Sequence, residues 1–170
     1  MKAIIYAITD VRDRILLMLA YLTAGRISEV LELKAGDLVL TKEKERPLLL
    51  IDMGNRKNKR SKRKFIPIPM DSSEGDMAQS VIEYARSKEP DDLLFPSTRR
   101  MGHITRAYAW QLVYKHADMN PHFLRHIRLT HLATVYGFPD QLLVQFAGWS
   151  DSRPAKHYMS LRWQDILPRM

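Results

Sequence analysis

The stretch PHFLRHIRLTHLATVYGFPDQLLVQFAGWSDSRPAKHYM, from Pro121 to Met159, is the most informative part of the chain. Asn120 before it is a good helix N-cap, Pro121 suits the first helical position, and Gly137 can close the helix in the left-handed conformation. His122 and Arg125 then lie three apart on one face of the first turn. That turn carries exposed N–H groups and the positive end of the helix dipole, so a phosphate there would meet donor side chains and backbone donors together. A second helix from about Pro139 to Ala147 is closed by Gly148, and Ser152 with Pro154 opens a further segment carrying Tyr158.

Upstream, the apolar residues Ile15, Leu16, Leu19, Ala20 and Leu22 predict a mostly buried helix from about Thr9 to Ala24, which Gly25 can end. Arg26 follows at once. Ser28 is the expected N-cap of a short helix through Leu33, with Glu29 in its first turn, where the dipole favours a carboxylate. By themselves Arg26 and Glu29 read as an exposed ion pair at a turn. Gly36 and Asp37 mark a turn, and Leu38–Leu40, Pro47–Asp52 and Lys64–Ile68 read as strands of a small antiparallel sheet. Between the last two lies MGNRKNKRSKRK, whose Arg56, Lys57, Lys59, Arg60, Lys62, Arg63 and Lys64 form the densest basic run. Gly54, Asn55, Asn58 and Ser61 make it a hairpin loop. So much like charge in one hairpin is unfavourable without counter-ions, and a phosphate backbone would supply them.

A helix is expected from about Gly75 to Lys88, followed by an apolar crossing segment and a loop in which Arg99, Arg100 and His103 can touch phosphates. Thr105 can cap a helix to about Ala117, with Tyr108, Leu112 and Val113 as core residues. Past Tyr158, the residues Leu161, Trp163, Ile166 and Leu167 form an apolar stripe that needs a surface to cover it.

Composition narrows the function classes. A chain of 170 residues with 45% hydrophobic content suits one domain spanning residues 1–170. The 27 Lys and Arg against 19 Asp and Glu give a charge of +8, which favours a polyanionic partner, nucleic acid before an anionic membrane surface. The absence of Cys excludes disulfides, thiolate metal sites and thiol nucleophiles. MKAIIYAITD is too short for a secretory signal, and the apolar run from Ile15 to Ala24 is about half a membrane span, so a soluble, cytoplasmic protein is expected. There is no Gly-rich phosphate loop and no HExxH, which removes the machinery for nucleotide hydrolysis and zinc peptidase chemistry. His122, His126 and His131 share a helix, but no acidic or Cys partners support a metal site there.

The ordered set Arg26, a hairpin lysine, His122 with Arg125, Trp149 and Tyr158 resembles the tyrosine recombinases, the phage and archaeal integrases and Xer-like site-specific recombinases. TAGRISEVLEL looks like the family's first arginine box, with Arg26 and the accompanying Glu29. HFLRH looks like its His-x-x-Arg box, and AGWSDSRPAKHYM like its closing segment, with Tyr158 nine positions after Trp149. The resemblance implies a mainly α domain with a small antiparallel β-sheet (α+β), the catalytic domain of such an enzyme without the N-terminal domain that clamps the other side of the DNA. It further implies double-stranded DNA as partner, self-association into a dimer or tetramer on it, association with the nucleoid, and a reaction needing neither metal, ATP nor another cofactor.

In the implied mechanism Tyr158 attacks a scissile phosphate and forms a 3′-phosphotyrosyl bond, releasing a 5′-hydroxyl. Arg26 and Arg125 hold the non-bridging oxygens as permanently charged donors. The family's hairpin lysine protonates the leaving oxygen; counting back from Pro67 places it at Lys59, with Lys57 and Lys62 as neighbouring candidates. His122 shuttles the tyrosine proton or holds the phosphate, Trp149 donates its indole N–H where the family more often has His, and Glu29 orients its neighbours. Arg56, Lys57, Arg60, Lys62, Arg63, Arg99 and Arg100 are the candidate DNA-backbone contacts. Two other readings share these features: a type IB topoisomerase or telomere resolvase, and a noncatalytic DNA-binding module on the same fold.

Overall fold

The computed structural model describes residues 1–54, 64–99 and 101–155. Helix α1 (Lys2–Tyr6) leads into α2 (Val11–Thr23), the central rod of the domain, in which every residue from Ile15 to Thr23 is buried. Asp10 starts α2 by accepting the N–H of Asp13 at 2.9 Å. A helix apolar on all sides must be covered on all sides, and α1, α3 (Ile27–Leu31), α4 (Gly75–Arg86) and α6 (Pro121–Thr134) cover this one.

The end of α2 differs from the expectation. Ala24, not Gly25, takes the left-handed cap conformation, with φ 43°. Gly25 is required for space instead: a Cβ there would lie 2.8 Å from both Met53 Cε and Thr23 Oγ1. The Thr23 hydroxyl donates to Leu19 O at 2.7 Å and accepts from the Gly25 N–H at 3.0 Å, pinning the turn from within. The N-cap of α3 is likewise Arg26 rather than Ser28, because the Glu29 carboxylate reaches back to the Arg26 N–H at 2.8 Å and so starts the helix two residues early. The helix stops at Leu31, short of the expected Leu33.

After a 3₁₀ turn (Ala35–Asp37), strands β1 (Leu38–Glu43), β2 (Arg46–Met53) and β3 (Lys64–Pro69) form an antiparallel sheet in that order. Ile51 pairs with Leu38 on one side and Ile66 on the other, and Met53 pairs with Lys64. Strand alternation sends Ile66 and Ile68 into the core and leaves Phe65 and Pro67 exposed. Lys64 therefore shares the inward face. Helix α4 closes this side of the sheet and ends at Arg86, two residues before the expected Lys88.

Helix α5 (Arg106–Ala117) begins as expected, with Thr105 Oγ1 accepting the Tyr108 N–H at 3.0 Å. Tyr108, however, is a surface residue, 42% exposed, with the Arg12 guanidinium over its ring at 5.7 Å. The buried stripe of α5 runs through Ala109, Leu112 and Val113, and Tyr108 falls one position outside it. Helix α6 has the Asn120 cap and Pro121 start read from the sequence, and Gly137, at φ 66°, completes its end. Helix α7 (Asp140–Ala147) is closed by Gly148 at φ 68°. The observed class is thus the expected one: helices around a small antiparallel sheet.

A second, smaller hydrophobic cluster joins Ala24, Leu129, Leu132, Leu143, Ala147 and Ala155. Next to it is a buried ion pair. Arg128 Nη1 donates to Glu74 Oε1 at 2.9 Å, the Tyr136 hydroxyl donates to the same carboxylate, and the guanidinium lies 5.1 Å from the Tyr21 ring centre. Burial alone would raise the Glu74 pKa, but the Tyr136 hydrogen bond and Arg128 outweigh it and hold the carboxyl below its ordinary 4.5. A depressed carboxyl stabilises the fold above its unfolded-state pKa and loses that contribution as pH falls through the folded one. Glu74→Ala would strand Arg128 in the core, at an expected cost of about 3 kcal/mol in denaturant unfolding. Glu74→Gln should flatten the acid limb of the wild-type stability curve.

Candidate active site

The site is built on helix ends. Arg125, on α6, is 5% exposed. One of its terminal nitrogens donates to Ala24 O at the end of α2 and the other to Ala147 O at the end of α7, the latter at 2.9 Å. The last carbonyls of a helix lack intrahelical partners and carry the negative end of its dipole, so both are natural seats for a guanidinium. The Trp149 ring covers the same guanidinium at 5.8 Å. The residue following the α7 cap thereby faces Arg125 rather than serving only as packing.

Arg26 stands two residues beyond Ala24. Its Nη1 donates to Glu29 Oε1 at 2.8 Å, while Glu29 Oε2 accepts its backbone N–H. The Arg26 side chain stays 56% exposed, against 24% for Glu29. The ion pair expected from the sequence exists, and it does more than an exposed pair at a turn would, because the same carboxylate starts α3 and orients the arginine. Arg26 is held along one edge and open to solvent along the rest.

Lys64 enters from β3, as the last member of a basic run in which residue type alone does not set it apart. Its Nζ donates to Thr23 O at 3.2 Å, adjacent to the carbonyl that Arg125 grips, and sits 5.6 Å from the Phe146 ring centre. The residue is partly buried with its amine as the inner end. Burial first, then Arg125, and to a lesser degree Arg26 against the opposing pull of Glu29, bring the amine from 10.5 down to about 7. A signal for Lys64 is present in the period-two pattern it shares with Ile66 and Ile68, but the surrounding basic run masks it.

His122 is exposed on the first turn of α6, on the helix that supplies Arg125. Arg99 is exposed in the loop closed by the Pro96–His103 bridge, and its backbone N–H donates to Ser97 Oγ at 3.3 Å. Lys59 and Tyr158, with Arg56, Lys57, Arg60, Lys62, Arg63 and Arg100, lie outside the described residues, as does the stripe of Leu161, Trp163, Ile166 and Leu167. The chain approaches that last stretch from the wall of the site: Ala155 is fully buried in the cluster containing Ala24 and Ala147. Among the described residues no group of three or more His, Cys, Asp or Glu is placed to hold a metal ion; His131 Nδ1 lies 3.0 Å from the Tyr21 hydroxyl. No helix among them is long and apolar enough to cross a membrane.

The geometry thus brings together Arg26, Glu29, Lys64, Arg125 and Trp149. Arg125→Ala should remove donors from two buried carbonyls and lower unfolding stability by about 2–4 kcal/mol. Arg125→Lys, with a single ammonium unable to bridge both helix ends, should recover less than half of that loss in the same measurement.

The chain matches the phage integrase family over residues 1–164. It is 35% identical over 137 residues to the tyrosine recombinase XerD of Corynebacterium glutamicum, a match covering 72% of this chain and 40% of the relative. It is 30% identical over 132 residues to the tyrosine recombinase XerA of Thermococcus onnurineus, covering 73% and 42%. The chain therefore spans less than half the length of these relatives. Among solved structures, the XerH site-specific recombinase bound to its difH substrate in a pre-cleavage complex superimposes with a TM-score of 0.72 at 22% identity, over 98% of this chain and 50% of that one. The Tn1549 transposon integrase in complex with transposon right end DNA gives 0.67 at 18% identity, over 99% and 62%. With the arginine boxes, the fold and a family match over nearly the whole length in agreement, this chain belongs to the phage integrase family, the tyrosine recombinases.

Proposed function

We propose that this domain cleaves and rejoins DNA strands through Tyr158, as the catalytic part of a site-specific recombinase. The observation that carries the reading is the hydrogen bond from Arg125 to Ala24 O. It ties the His-x-x-Arg box to the turn that presents Arg26, and so places two guanidinium-bearing segments, 99 positions apart in sequence, on one wall.

Phosphoryl transfer to a tyrosine passes through a transition state with added negative charge on the non-bridging oxygens. Arg26, exposed and steadied by Glu29, is suited to meet those oxygens from the solvent side, and Arg125 supplies fixed positive charge behind them. His122 accepts the proton of Tyr158 or donates to the phosphate, and Trp149 both covers Arg125 and offers an indole N–H. A basic residue of the β2–β3 hairpin, Lys59 in our assignment, gives its proton to the departing 5′-oxygen. The phosphotyrosyl bond conserves the energy of the phosphodiester, so religation by a new 5′-hydroxyl reverses the step and completes strand exchange. Arg56, Lys57, Arg60, Lys62, Arg63, Arg99 and Arg100 contact the DNA backbone, and protomers pair as a dimer or tetramer on the DNA.

On a nicked suicide duplex the wild-type chain should form a covalent protein–DNA adduct that resists denaturing electrophoresis, and Tyr158→Phe should form none. Absence of an adduct with every duplex tried, including the native site, would leave only DNA binding. Lys59→Ala should lose cleavage at an ordinary phosphate by about 100-fold or more and regain it with a 5′-thio leaving group, which needs no proton. Equilibrium binding should weaken steeply with salt, and neutralising each hairpin contact should reduce the log–log slope by about 0.9.

A further inference from the structure

We propose that Lys64 is a positioning residue of the phosphate site: its amine holds the Thr23 carbonyl, and with it the turn that presents Arg26, and it gains a proton when a phosphodiester arrives. This rests on the phosphoryl-transfer reading above and adds a residue to it. The hairpin lysine that protonates the leaving oxygen is a separate role, assigned to Lys59.

Three features of the placement support it. The first is the acceptor. Thr23 and Ala24 end α2, and their neighbouring carbonyls receive Lys64 and Arg125 respectively. Two cations from β3 and α6 thus share one helix C-terminus, and the turn they grip runs through the tightly enclosed Gly25 straight into Arg26. The second is the packing. Gly148 lies alongside the lysine stem, a Cβ there being in ordinary van der Waals contact with Lys64 Cδ at 3.5 Å, and the Phe146 ring flanks the amine at 5.6 Å. The ends of α2 and α7 therefore both meet this side chain. The third is the register. Lys64 opens the inward face of β3, opposite Met53, while Asp52 pairs with Phe65 on the other face.

Among the described residues, the charged groups facing the amine are Arg125 from α6 and Arg26 and Glu29 from the start of α3; α2 contributes a carbonyl and α7 an aromatic ring. Two arginines against one carboxylate make a third permanent cation unfavourable in the empty site. Together with burial, they hold the amine near 7. A phosphodiester beside Arg26 and Arg125 brings a negative charge that reverses this balance, and the amine then takes one proton from solvent. Above pH 7 the third positive charge is therefore more fully present when phosphate occupies the site than when it does not.

The test uses the full chain, with Lys64→Met to keep the length without the amine and Lys64→Arg to keep a permanent charge. Adduct formation is measured at subsaturating nicked duplex from pH 6 to 9, where the rate reports groups of the free enzyme. Lys64→Met should be slower than wild type by about 10- to 100-fold at pH 6.5. The wild-type to Lys64→Met ratio should fall several-fold as pH rises through 7 to 9, whereas the Lys64→Arg to Lys64→Met ratio should stay level. Taking ratios cancels whatever pH dependence all three proteins share. A wild-type adduct with a ratio that is level with pH, or close to one throughout, overturns the inference and leaves the phosphoryl-transfer reading standing.

Unfolding supplies a readout independent of activity. The folded amine loses its proton near pH 7 and the unfolded one near 10.5, so the unfolded chain binds more protons between these values and wild-type stability rises relative to Lys64→Met across that window. If the difference in unfolding midpoint between the two proteins does not change from pH 7 to 10, the amine is not buried where the inference needs it, whether or not adduct forms.

Discussion

The site depends on a buried guanidinium held by the carbonyls of two helix ends. Arg125 and Arg128 lie one turn apart on α6 and are both shielded from water, yet they are accommodated differently. Arg128 has a carboxylate, Glu74, and is neutralised. Arg125 donates to the Ala24 and Ala147 carbonyls, which carry the negative ends of two helix dipoles. The first arrangement ties α6 to the start of α4. The second ties α6 to α2 and α7.

That arrangement orders much of what surrounds it. Ala24 must present its carbonyl to Arg125, and it does so in a left-handed cap that an alanine adopts at some cost. Gly25 must be small because Met53 and Val30 close on it. Thr23 spends its hydroxyl inside the turn and its carbonyl on Lys64. Arg26 then emerges at the start of α3 with Glu29 already beneath it. The small cluster of Leu129, Leu132, Leu143 and Ala155 around Ala24 and Ala147 keeps the two helix ends at the separation one guanidinium can span.

Features written in local chemistry are legible in the sequence. Thr105, Asn120 and Gly148 act at the helix ends where their side chains or conformational freedom predict, and the three strands lie within a few positions of their expected bounds. The differences have one common cause, a neighbour in space that the local stretch does not name. Gly25 reads as a cap by its conformational freedom, but Met53 and Val30 need its lack of a side chain. Ser28 reads as a cap by its type, but the Glu29 carboxylate reaches Arg26 first. Tyr108 reads as core by its apolar ring, yet it stands one position from the buried stripe of α5, where its hydroxyl meets Arg12 instead. Lys64 reads as one more basic residue of the hairpin, although the sheet places it on the inward face beside Arg125 and Arg26.

The sequence by itself determined the resemblance to the family, the helical segments from α2 to α7 and the three strands of a small antiparallel sheet, because motif spacing, capping chemistry and hydrophobic period are all properties of short stretches. Only the tertiary structure decided which cations meet. Arg26, Lys64 and Arg125 come from a helix junction, a strand and a helix far apart in the chain, and no local signal states that Thr23 and Ala24 offer adjacent carbonyls to two of them. A carbonyl belongs to every residue alike, so its choice of partner is invisible in the sequence and is made only when helices pack.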